Sequence, residues 1–492
     1  MGTMIVIGAG FAGLSTAIHA RRRGHEVTVL ERHTLPGGMC TSWKRRGYTF
    51  EGCFHYIRFI GALPGSVFYP VWKELGVLEE PPLIRSDILE TCVDREGRAF
   101  RIFTDPAKLR RELAGLSPGD AVMARELCCA IRRCRWFTRD AGRNPFLHAA
   151  KAVNMVLALP FLMKYGGLGM AEYARRFRDP LIRKAIARLF EYGDISAAQL
   201  PMFLGMYAGE GVHFPVGGSL GLARAAERRL VKLGGTIEYG KRVESIREED
   251  GKVRGVRLAD GSLREADIVV AACDLHATAY ELLGGRHAMP ELEAAFREYP
   301  VYEAYLQVSL GLVGGLGLPP VARIETGELF TVAGTMRDEL RIVSYDHDTG
   351  MAPPGHSSVV ILYATDYARW EAMGHGTETY RAEKAAALEA TLRALEERFP
   401  DIRGRVEATD VATPLTTLRY TGNWRSALGF RVTKDYIKEL RSPRFELPGL
   451  EGFYQTGQWI VGMGVPNAAL GGRRVVELIE EKRKRGRRRP GV

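Results

Sequence analysis

Gly8, Gly10 and Gly13 form G-x-G-x-x-G, and Glu31 follows about twenty residues later at the end of a second apolar run. Each residue type at that spacing has a chemical use. Gly8 permits a tight strand-to-helix turn. Gly10 lets backbone approach a pyrophosphate with no side chain between, and Gly13 lets a helix lie close to a sheet. Phe11 and Ala12 fall at the helix N-terminus, where unpaired N–H groups and the helix dipole favour phosphate. Glu31 can accept hydrogen bonds from a ribose 2′-hydroxyl and repels a 2′-phosphate. The chemistry is dinucleotide binding. A βαβ unit without a ligand is the plainer alternative for the glycines alone.

Those residues need a scaffold, and the surrounding residues supply one. Residues 4–7 (M-I-V-I) suit a buried parallel strand, residues 14–23 a helix stopped by Gly24, and residues 27–30 a second strand. Arg32 and the pair Gly37-Gly38 continue the motif, and the pair allows a second close approach of backbone to ligand. A second strand–glycine turn–helix lies near the far end. Gly457, Gln458, Gly464, Val465 and Pro466 occupy its turn, and the start of the following helix again suits a phosphate or the flavin pyrimidine. Between them, P-V-G-G from Pro215, a helix over 220–233, strands over 236–239, 242–247 and 255–258, and the buried strand 267–272 form one further unit.

Composition sets bounds. The chain has 492 residues, 46% hydrophobic and 26% charged, which is room for two or three lobes with a large core. No uninterrupted apolar run reaches a membrane span, and residues 153–163 read as a buried core helix or a patch that dips into lipid. The chain opens on its first strand, so a cleaved signal peptide is not expected. Seven scattered cysteines without C-x-x-C fit free thiols in a reducing cytoplasm. The net charge of +11 is partly a cluster over 482–489. That cluster reads as a solvated tail or as a clamp on anionic lipid. Nucleic acid is not expected, because no aromatic platform accompanies the charge. Asp346-His347-Asp348 has metal-capable side chains without further ligands in reach, so no metal is expected.

The E-R…G-G continuation of the glycine motif resembles the flavoprotein superfamily of amine oxidases, protoporphyrinogen oxidases and phytoene desaturases. The segment Y-T-F-E-G-C-F-H-Y over 48–56 is similar to the carotenoid isomerase and retinol saturase branch. The resemblance implies an α/β fold: a glutathione-reductase-like FAD-binding Rossmann domain with an inserted helical lobe and a mixed-sheet substrate domain. The FAD domain is expected from residues 1–65, 214–275 and 441–481, the helical lobe from 66–213, the substrate domain from 276–440, and a basic tail from 482–492. The resemblance places Val243 at the adenine of FAD and gives the cofactor contacts named above to FAD. Gln458 stands where many relatives carry an acid, and Gly471-Gly472 where many carry Ser-Gly. His55, Tyr56 and Trp424 are the substrate-side catalytic candidates, with a hydrogen-bonded core or rim histidine as the alternative for His55.

The implied activity is hydride transfer between flavin and a long apolar isoprenoid or polyene, with oxygen or a quinone as acceptor. The enzyme would be cytoplasmic, or peripheral on the inner face of a membrane through the helical lobe and tail. The alternatives are a flavin-dependent polyene isomerase, an amine or protoporphyrinogen oxidase, and a prenyl-lipid carrier of the same fold that binds no FAD.

Overall fold

In the computed structural model, residues 2–53, 59–190, 195–287, 289–431 and 445–487 are described. The apolar run Thr3–Ile7 is the central strand of a five-stranded parallel sheet. It pairs with Glu26–Glu31 on one side and Ile268–Ala271 on the other. Thr236–Tyr239 and Phe453–Gln455 form the edges. Three sequence-distant stretches, residues 3–31, 236–271 and 453–455, therefore build one sheet.

Helices cover one face of this sheet: Phe11–Arg22, Ser219–Lys232 and Val465–Arg487. The first and last of these pack closely. A Cβ on Gly472 would fall 2.4 Å from the Ala12 carbonyl oxygen, and Ser15 Oγ donates to the Ala469 carbonyl at 2.6 Å. On the other face lies a three-stranded antiparallel sheet, Val243–Glu249, Lys252–Leu258 and Leu263–Glu265. Its Val243, Ile246 and Val256 share a core with Ile5, Ile7 and Leu30.

A second sheet has seven strands, in the order Val406–Ala412, Ala304–Val313, His356–Thr365, Thr335–Ser344, Val321–Val332, Ile88–Val93, Ala99–Phe103. The last two come from the segment read as mostly helical. Ile88–Val93 hides from a pattern reading because its Glu90 is buried, held by Arg323 (3.4 Å) and Arg341 (3.2 Å). Helix Glu378–Glu396 covers this sheet from behind, with Tyr380 and Leu395 in its core.

The remaining helices of residues 106–207 include Pro145–Tyr165, which differs from its expected buried form. It runs 21 residues through Pro160, and only 11% of its apolar window is buried, at a mean hydropathy of 1.6. Phe146, Val156 and Met163 are exposed at 82%, 62% and 79%. By length and composition it is also long enough to cross a membrane. Its inner side is nonetheless fastened to the protein. Arg133 donates to Asn154 Oδ1 at 2.9 Å, Tyr165 donates to Glu126 at 2.6 Å, and Phe161 packs against Tyr173.

Candidate active site

A cavity of about 670 Å³ opens at the carboxyl ends of the parallel strands. Binding at that end of an open parallel sheet follows from the helix N-termini and loops gathered there. Gly8, Gly10, Phe11, Ala12, Glu31, Gly37 and Gly38 line it, as do Gly457, Gln458, Gly464 and Val465 from the far end of the chain. Gly8 takes φ +101°, the left-handed side that its turn needs. Gly10 caps the first helix without any side-chain hydrogen bond, so the first-turn N–H groups stay available to a ligand. A Cβ on Gly10 would meet nothing nearer than the Gly37 carbonyl at 3.9 Å, and the space it would enter is the cavity.

Glu31 is buried, and each carboxylate oxygen takes one backbone proton: Oε2 from Ala9 N–H and Oε1 from His33 N–H, both at 2.7 Å. These bonds orient the carboxylate and leave further lone pairs for ribose hydroxyls. The uncapped helix, the open glycine cradle and the aligned acid together fit the two ends of a dinucleotide.

Other expected residues sit elsewhere. Gly13 is behind the wall, where a Cβ would lie 1.9 Å from the Gly8 carbonyl oxygen. Its role is the close packing of helix on strand. Arg32 is exposed and donates to the Arg419 carbonyl at 3.2 Å. Val243 and Pro466 do not line the cavity; Val243 belongs to the core beneath the sheet. Gln458 donates its amide to Asn423 Oδ1 (3.1 Å) and the Ala427 carbonyl (3.3 Å). It thereby ties the late glycine turn to the segment around Trp424.

Trp424, expected on the substrate side, does not itself line the cavity. Its ring stacks on His276 at 4.9 Å in an aromatic cluster with Phe296 and Trp459, and only Trp459 of these lines the cavity. His55 and Tyr56 lie outside the described residues. Among the described residues, no group of three or more acid, histidine or cysteine side chains is arranged to hold a metal.

The sequence reading missed the opposite wall. Tyr305, Gln307 and Leu362 reach the cavity from the seven-stranded sheet, with Trp43 and Asp410, whose Nε1–H and Oδ2 are joined at 2.9 Å. It also missed Asp274, three residues beyond the strand Ile268–Ala271. Burial pushes the Asp274 carboxyl up to about 6, although the Ala277 and Trp424 N–H groups both donate to it. Position after a buried parallel strand was the available signal for Asp274. No local signal marks Tyr305 or Gln307.

The family model for flavin-containing amine oxidoreductases matches residues 11–479. The prolycopene isomerase of Daucus carota is 25% identical over 95% of this chain and 78% of its own length. The lycopene-forming phytoene desaturase of Pseudescherichia vulneris is 26% identical over 83% of this chain and 85% of its own. Among solved structures, a putrescine oxidase variant superposes with a TM-score of 0.63 at 14% identity, covering 98% of this chain and 99% of its own. An oxidoreductase from Methanosarcina mazei does so with a TM-score of 0.56 at 20% identity, over 96% and 100%. The glycine cradle, the oriented Glu31 and these matches converge: the chain belongs to the flavin-containing amine oxidoreductase family and is an FAD-dependent oxidoreductase.

Proposed function

We propose that the protein transfers a hydride between FAD and a long apolar isoprenoid or polyene, desaturating or saturating a carbon–carbon bond. The observation that carries this reading is the exposed apolar face of Pro145–Tyr165 on a protein otherwise fastened by ion pairs. Such a face suits a bilayer in which polyenes dissolve. The names of the relatives, phytoene desaturases and prolycopene isomerases, support the same substrate class. The basic cluster over 482–489 adds attraction to anionic headgroups, so the working position is peripheral, on a membrane surface.

FAD supplies the hydride chemistry when bound. Gly8, Gly10, Phe11 and Ala12 would hold its pyrophosphate, Glu31 its adenosine ribose, and Gly37, Gly38, Gly457, Gln458, Gly464 and Val465 its remaining length. Gly13, Val243 and Pro466 would support these from behind, and Arg32 would tether the rim through the Arg419 carbonyl. Tyr305, Gln307 and Leu362 would face the substrate and exclude water from it. Trp424 acts as a positioning residue through its backbone: its main-chain N–H holds Asp274, and Gln458 grips the neighbouring Asn423 and Ala427. His55 and Tyr56 are retained as substrate-side candidates. Oxygen or a quinone takes the electrons in the oxidative direction.

The isomerase reading is favoured by the Daucus carota relative, whose alignment spans 95% of this chain. One experiment separates the readings. The flavin-loaded protein is incubated with phytoene or prolycopene in lipid vesicles, with oxygen, with a quinone, or anaerobically after flavin reduction. A desaturase or saturase changes the number of conjugated double bonds and consumes acceptor or reduced flavin. An isomerase acts with reduced flavin and consumes nothing. A flavin-loaded protein that leaves every polyene unchanged in all three conditions overturns both.

A further inference from the structure

Two cysteines separated by thirteen positions meet on the cavity wall. Strands Ser42–Arg45 and Tyr48–Glu51 form an antiparallel hairpin in which Ser42 pairs with Glu51. The ladder continues one step further, since Gly52 N–H donates to the Thr41 carbonyl at 3.0 Å. The next facing positions are Cys40 and Cys53. Facing residues in an antiparallel pair have Cα atoms about 4.5–5.5 Å apart. A disulfide needs about 4.4–6.8 Å. Cys53 is among the groups whose proximity acts on the Cys40 thiol, and both are free thiols that line the cofactor cavity.

Their environments differ in a way that assigns an order. Cys40 is buried, and burial, then Cys53 and Glu51, pushes its thiol well above the ordinary range. Cys53 is only half-buried and is held by its own N–H to Glu51 Oε1 at 2.7 Å. A reagent entering the cavity meets Cys53 first.

We propose that Cys40 and Cys53 form a reversible dithiol–disulfide couple on the wall of the FAD cavity, oxidised by low-molecular-weight disulfides. Cys53 Sγ attacks one sulfur of the reagent, forming a mixed disulfide and releasing one reagent thiol. Cys40 Sγ then displaces the second reagent thiol, and the Cys40–Cys53 bond closes. The pair loses two electrons and two protons, and the reagent disulfide carries both away as two thiols. Closure joins the Gly37–Cys40 wall, which belongs to the glycine cradle, to the Gly52-Cys53 turn that leads into His55 and Tyr56. The couple thus sets whether the cofactor wall and the Gly52-Cys53 turn are covalently joined. This inference does not depend on which polyene, or any, is the substrate.

The test uses the FAD-loaded full-length protein, equilibrated in buffers from fully reduced to fully oxidised glutathione. Each sample is quenched with a maleimide and read by intact mass and peptide mapping, with bound-flavin fluorescence recorded in parallel. The expected result is a loss of two hydrogens in most molecules and a peptide pair joined through Cys40 and Cys53. Dithiothreitol reverses it, the flavin fluorescence shifts in step, and Cys129→Ser behaves as the parent does. Cys40→Ser stops at a glutathione adduct on Cys53. Two free thiols in fully oxidised buffer, or a parent protein that stops at a glutathione adduct, overturns the proposal. The mapping of the parent protein decides the question even where a variant fails to fold. A positive map beside an inactive polyene assay would reject the substrate and keep the couple.

Discussion

Glu31 shows how much one residue does before any ligand arrives. Its carboxylate satisfies the N–H groups of Ala9 and His33. Glu31→Ala leaves two backbone donors without an acceptor and removes the ribose contact. Losses of about 1.5–3 kcal/mol for a charge-assisted bond predict FAD affinity weakened by about 10- to 100-fold. Flavin titration by fluorescence checks it. Glu74 makes a different prediction. Burial raises its carboxyl, but the His19 hydrogen bond, with Arg22 and Arg473, outweighs this and brings it from 4.5 to about 2. A carboxyl lowered on folding stabilises above its unfolded value and loses that contribution as pH falls through its folded value. Glu74→Gln should therefore cost about 1–3 kcal/mol at pH 7, with most of that cost gone by about pH 2 and the rest lost below it. Urea midpoints across that window measure the difference. The glycine set and Glu31 were legible because their spacing is local. Cys40 with Cys53, and Gln307 with the cofactor wall, were not, because hairpin register and a separate sheet bring them there.

Elements were legible where one periodicity ruled. The first βα unit and the strand Ile268–Ala271 have the structure their residues predict. Pro145–Tyr165 was legible only as two alternatives, buried or lipid-facing, because a helix apolar all round has the same pattern whether protein or lipid surrounds it; its exposed face departs from the buried one. Pro160 also falls on its exposed side rather than ending it. Replacing Phe146, Val156 and Met163 together by Glu should change the unfolding free energy by no more than about 0.5 kcal/mol per exposed position. Vesicle binding, followed by co-sedimentation, should fall at least several-fold. The contact between the first and last helices gives the opposite expectation. Gly472→Ala sets a methyl against the Ala12 carbonyl, Ser15 and the Thr16 nitrogen. Overpacking of that kind costs about 1–3 kcal/mol. It should lower the melting temperature and loosen FAD, whose two cradles those helices carry.

At the scale of the molecule, charge and topology act together. The net charge of +11 is concentrated partly in the C-terminal cluster. Replacing Lys484, Arg485, Arg487, Arg488 and Arg489 by Ser removes attraction of about 1 kcal/mol per residue near an anionic surface. Binding to anionic vesicles should drop by about 10³- to 10⁴-fold at low salt, with a small change at high salt, where the parent is itself screened. Neutral vesicles should show little difference between the two proteins.

The parallel sheet joins residues near the start of the chain to Phe453–Gln455 near its end. On the ribosome, Ile268–Ala271 must wait for Phe453–Gln455 before its second neighbour emerges. Until then Ile268–Ala271 keeps an unpaired edge, and the nascent chain depends on that edge being shielded from other chains.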